Sequence, residues 1–205
     1  MRKVTKEYEV YKFEELEKDV QEKILEKYTQ YEYEWYIDDI LHSDMIELAK
    51  DSLENYFKGA KYNNIYYDLS YCQGSGAMVE FNIDLKYLNN KYKMLSQEEI
   101  NGLENFGGTD VEIRHNHSRY YHERTFDIDW NDFTTYTYMD EYCEDMEKVQ
   151  KNIDAMIELF KADIILMNKQ IARDGYNMLE NKATFEEMAM EHINELEFLS
   201  DGSVF

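Results

Sequence analysis

Residues 65–85 read IYYDLSYCQGSGAMVEFNIDL, and the spacing of their apolar side chains decides the fold. Ile65, Tyr67, Leu69 and Tyr71 recur at every second position, and beyond the glycines Ala77, Val79, Phe81, Ile83 and Leu85 do the same. A period of two puts each set on one face of a β-strand. Gln73, Gly74, Ser75 and Gly76 then form the connection of a hairpin, where glycine supplies positive φ at no steric cost. Phosphate-cradling loops also use glycines, but they lead from strand into helix. No Lys or Arg lies between Lys61 and Lys86 to support one.

Working outward, a second alternating pair is expected. Val111, Ile113, His115 and His117 form one strand, and His122, Arg124, Phe126, Ile128 and Trp130 the other, with a turn near residues 118–121. The chain begins with a strand-like segment, Glu7 to Phe13. Helical spacing follows in Leu16, Val20, Ile24, Tyr28 and Tyr31, then in Ile37, Leu41, Met45, Leu48 and Ser52, with Gly59 as a C-terminal cap. Ser96 with Glu99 makes a capping box for a short helix ending near Gly107 and Gly108. Met139, Tyr142, Met146, Val149, Ile153, Met156, Phe160, Ile164, Met167 and Ile171 mark a helix of ~40 residues, ~60 Å if unbroken, with Gly175 as a point for a bend. Thr184 with Glu187 is a capping box opening a last short helix. The fold class is α+β: an antiparallel sheet of four to five strands from two hairpins, flanked by amphipathic helices with a long C-terminal helix. One domain spans 1–205, helical over 1–60, sheet over 61–132 and helical again over 136–200.

Charge bounds the function. With 44 Asp and Glu against 22 Lys and Arg, the formal charge is -22. Nucleic acid and anionic lipid are both held through basic side chains, so direct binding to either is not expected. The field favours basic partners. Residues 7–54 hold 16 acids and 5 lysines, 125–147 hold 8 acids and no base, and 183–205 hold 6 acids and no base. Cys72 and Cys143 make no disulfide framework, MRKVTKEYEV lacks a signal-peptide core, and no run approaches the ~20 apolar residues of a spanning helix. The expected setting is reducing cytoplasm.

Three of the five histidines, His115, His117 and His122, lie close in sequence, with Glu112 or Glu123 at hand to complete a zinc set. That cluster is the basis of one alternative, a metal-dependent or nucleotide-processing enzyme. No nucleophile motif is present, and with so many acids a carboxylate pair carries no information, so no catalytic residue is assigned and no cofactor is expected. The favoured reading is a binding protein. Asp127, Asp129, Asp132, Asp140, Glu141, Glu144 and Asp145 present carboxylates to a partner, with Trp130 and Tyr138 as anchors. A similar mixture of acids and rings occurs at Tyr31, Tyr33, Trp35 and Tyr36. A further alternative is an antitoxin-like regulatory partner, in which acidity only solubilises. The long helix also offers a seam for a homodimer.

Three segments carry a resemblance. VYKFEELEKDVQEKILEKY resembles an opening of the form vYkFdELsdeaKekAie, and SYCQGSGAMVEF resembles an sQGDGasF hairpin. ARDGYNMLENKATFEEMAMEHINELEFLSDGSVF is similar to YkqLekEYeyltSdEaieEtieaNeyeFteDG. These patterns, in this order, are those of small acidic proteins encoded by bacteriophages and prophages. Ser75 stands in place of the family's Asp, and Leu196 in place of an aromatic. The resemblance implies a viral origin, a life in the host cytoplasm and no catalytic residues. It also implies an inhibitor of host defence, of the anti-CRISPR kind, that mimics nucleic acid on a basic nucleic-acid-binding effector.

Overall fold

A computed structural model describes residues 6–105, 109–130 and 146–205. Asp132, Tyr138, Asp140, Glu141, Glu144 and Asp145 therefore lie outside the described residues, as do Met139 and Tyr142 of the long apolar stripe and Gly107 and Gly108. The chain is α+β, with two compact units, one within Met1–His42 and Asn177–Phe205 and the other Ser43–Tyr176.

The second unit is built on a four-stranded antiparallel sheet in sequential order, β1 Lys61–Asp68, β2 Gly76–Asp84, β3 Asp110–His115 and β4 Phe126–Trp130. Register pairs Ile65 with Val79, Phe81 with Ile113, and Ile113 with Ile128. One face thus carries Val79, Phe81, Ile83, Val111 and Ile113, each at most 3% exposed. Helices α2 Leu41–Tyr56 and α5 Met146–Glu180 bring core rings to it. Phe57, just past α2, stacks on Phe81 at 5.5 Å, and Phe160 of α5 meets Phe57 edge-on at 5.0 Å. Asn168, fully buried on α5, accepts the Val79 N–H at 3.3 Å and donates to the Glu123 carbonyl at 3.5 Å, giving polar groups in the core their partners.

Both hairpins close earlier than alternation suggests. Leu69 and Tyr71 belong to the first connection, where Tyr71 has φ 57°, and β2 begins at Gly76 opposite Asp68. His117, also at positive φ, His122 and Arg124 lie in the second connection rather than in strands. The connections pack on each other. The Tyr121 N–H donates to the Gly74 carbonyl at 3.2 Å, and a Cβ on Gly74 would lie 2.1 Å from Cδ1 of Tyr120. Gly74 serves close approach as well as its φ of 95°.

Leu85 does not extend β2. Asp84 caps a new helix, α3 Leu85–Tyr92, its carboxylate accepting the Lys86 N–H at 2.9 Å. The Ser96–Glu99 box forms in both directions and opens α4 Gln97–Asn105. α5 has 35 residues, about 52 Å. It stays helical through Gly175, where a Cβ would meet Met45 Sδ at 2.9 Å and Leu69 Cδ1 at 3.0 Å, so this glycine answers packing, not a bend.

In the first unit, the segment from Glu7 to Phe13 makes an isolated bridge from Tyr11 to Phe198 and no strand. Its partner is too distant in sequence for local pattern to reveal. A 3₁₀ turn, Phe13–Glu15, leads into α1 Lys18–Trp35, and α6 Lys182–Asn194 packs on α1 through Leu16, Ile24, Ala189 and Ile193, with Phe198 closing the cluster. Thr184 does not cap α6. That helix opens at Lys182, and Thr184 already donates its N–H to the Asn181 carbonyl. A π-helical turn, Tyr36–Ile40, joins α1 to α2, shifting the phase between the two apolar stripes.

Candidate interaction surface

Strand alternation decides which side chains share the sheet's other face. Opposite Val79, Phe81 and Ile83 stand Glu80, Asn82 and Asp84. Register then adds Asp110 beside Asp84, Glu112 beside Asn82, Asp129 beside Glu112, and Asp127 beside Arg114. Carboxylates on neighbouring strands are spaced at about 5 Å, and those two residues apart on one strand at about 7 Å. Toward β1, Lys61 stands opposite Asn82, and Lys86 Nζ lies 3.4 Å from Asp84. Toward β4, Arg114 is the base among Glu112, Asp127 and Asp129 in the described strands.

Arg114 binds Glu112 on its own strand and lies 3.7 Å from Asp129 across the ladder. Its hydrogen bond and charge hold the Glu112 carboxyl below the ordinary range, and Glu112 in turn raises the Arg114 value. Asp127 and Asp129 are exposed. The negative charge of this face is therefore densest at the β3–β4 edge.

The sequence grouped Trp130 with Asp127 and Asp129, and the period of two separates them. Trp130 pairs with Val111, sharing the apolar face with Ile128 and Phe126, and is half-buried in a recess that includes Ile157 and Ile165 of α5. Asp127 also borders that recess, whereas Asp129 is not among its lining residues. In the first unit, Tyr33 and Tyr36 sit edge-on to Phe185 at 5.3 and 5.5 Å, while Tyr31 and Trp35 remain 56% and 40% exposed.

The histidines do not converge. His115 is buried against Tyr66 and Tyr121, with ring centroids at 4.8 and 5.4 Å, and its Nε2 lies 3.0 Å from the Tyr120 carbonyl. Its backbone N–H donates to Glu80. His122 Nδ1 accepts the Arg124 N–H at 3.2 Å, and His117 is exposed. Among the described residues no three His, Cys, Asp or Glu side chains gather where they would hold a metal ion. A ten-residue connection in place of a tight turn is the physical reason: it removes the cross-strand opposition the cluster needed. Cys72 is a free, exposed thiol in the first connection, within 3.1 Å of Ser75 Oγ.

Among the described residues no helix is long and apolar enough to cross a membrane. Compared with protein-family models, curated proteins and solved structures, the chain has no match.

Proposed function

We propose that this chain is a non-enzymatic inhibitor that lays the acidic face of its sheet into the basic, nucleic-acid-binding groove of a host defence effector. A CRISPR effector of a phage-infected bacterium is the target class the sequence resemblance suggests. The observation that carries the reading is the Glu112, Asp127 and Asp129 array. A strand ladder sets its spacing, so the backbone order that presents these charges is already in place before a partner binds. Such a surface speeds encounter with a basic groove and gives affinity that falls with salt.

The test is capture from nuclease-treated bacterial lysate at low and high salt, followed by competition with duplex DNA. The expected partner is a nucleic-acid-binding protein released by salt and by DNA, and lost with an Asp127→Lys, Asp129→Lys double variant. A partner that binds DNA and this chain together, or one indifferent to the double variant, would refute the proposal.

A further inference from the structure

Away from the β3–β4 edge, lysines gather around Tyr87 on α3, between two adjoining recesses. The larger, about 600 Å³, is lined by Tyr56, Phe57, Lys58, Asn90 and Lys91. The smaller, about 280 Å³, is lined by Lys61, Asn82, Asp84, Lys86 and Asp110. The larger volume falls in the range of small-molecule sites, and its mixture of apolar wall and a few polar groups is theirs too.

Tyr87 is 41% exposed, and its ring lies where a Cβ on Gly59 would be 3.0 Å from Cδ1, so bare backbone supports it from below. Lys91 is held in place: its Nζ donates to the Tyr56 carbonyl at 2.9 Å, pairs with Asp163 at 2.7 Å and sits 4.5 Å above the Phe57 ring. Lys58 and Lys61 make no ion pair among the described residues. Lys86 is paired with Asp84 and Lys91 with Asp163, which leaves Lys58 as the cation of the larger recess without an ion pair among the described residues.

We infer that the recess binds a nucleoside phosphate, its base stacked on Tyr87 and its phosphate drawn to Lys58. Stacking on a tyrosine face suits any base. The Asn55 and Asn90 amides, in the same recess, supply donors and acceptors for its edge. Neither Asp127 nor Asp129 lines either recess, so this site stands or falls apart from the Glu112, Asp127 and Asp129 array.

The experiment is titration of the full chain with AMP, read by calorimetry and by the amide resonances of Gly59 and Tyr87. Adenosine and inorganic phosphate serve as separate probes. AMP should bind saturably, with adenosine weaker by on the order of tenfold. Lys58→Glu and Tyr87→Ala should each cost about tenfold or more, while Tyr87→Phe, which keeps the stacking face, should bind normally. Both side chains are exposed, so these variants should fold. Absence of saturable AMP binding, adenosine binding as tightly as AMP, or AMP binding unchanged in Lys58→Glu and Tyr87→Ala would overturn the inference.

Discussion

Replacing Gly74 by Ala tests whether the two hairpin connections are one packed assembly. A Cβ at this position would lie 2.1, 2.7 and 2.8 Å from Cδ1, Cγ and Cε1 of Tyr120, far inside contact distance, and the backbone φ is 95°. The conformation alone costs a non-glycine residue ~1–2 kcal/mol. Displacing the ring adds an overpacking cost of ~1–3 kcal/mol, giving ~2–5 kcal/mol in all. Truncating the ring in a Tyr120→Ala background removes the second part, so the same glycine substitution should then cost only ~1–2 kcal/mol. The resulting coupling of ~1–3 kcal/mol is within reach of a double-mutant cycle. Urea unfolding of the four proteins gives the global values. Hydrogen exchange at the Tyr121 amide, bonded to the Gly74 carbonyl, reports the local ones. If Gly74→Ala leaves both unchanged, or costs as much without the Tyr120 ring as with it, the packing argument fails.

Other outcomes follow from single groups. Asn168→Leu should destabilise by ~1–3 kcal/mol in chemical unfolding, because the buried Val79 N–H loses its acceptor. Thr29→Val should be neutral or slightly stabilising in the same assay, since Thr29 Oγ1 is buried with no partner among the described residues. The Glu112 carboxyl has a lowered folded value, so its stabilising contribution is present above the unfolded value of about 4.3 and is lost as pH falls through the folded one. An NMR titration should show that depression in the native chain and lose it in Arg114→Gln.

How much of this was legible depended on how far apart the partners are. Ala77 to Ile83 revealed a strand because each neighbour in the pattern is two residues away. The Ser96–Glu99 box was legible for the same reason, both of its hydrogen bonds closing within three residues. Leu85 misled because it continues the alternation of Ile83, although Asp84, a residue suited to helix N-caps, stood directly before it. The Tyr11–Phe198 bridge had no local signal at all. At the site, acid density was plain in the composition, yet which acids meet required register: Glu112 and Asp129 become neighbours only once β3 and β4 are aligned. Trp130 shows the converse, since alternation from Asp127 and Asp129 already assigned it to the far side. The histidine cluster presumed a tight turn that the sequence had no means of specifying.

The outer strands of the sheet have one more consequence. β1 and β4 are its first and last members, and a strand in that place is a template on which another copy can grow into a fibril. β1 carries a register irregularity between Tyr62 and Asn64, and β4 repeats a like charge at Asp127 and Asp129 that would oppose itself in a stacked neighbour. The two aspartates thus act as gatekeepers against amyloid-type growth at this margin, and evolution cannot trade them for apolar contacts without exposing an unbroken apolar strand, with Phe126, Ile128 and Trp130, to its own kind.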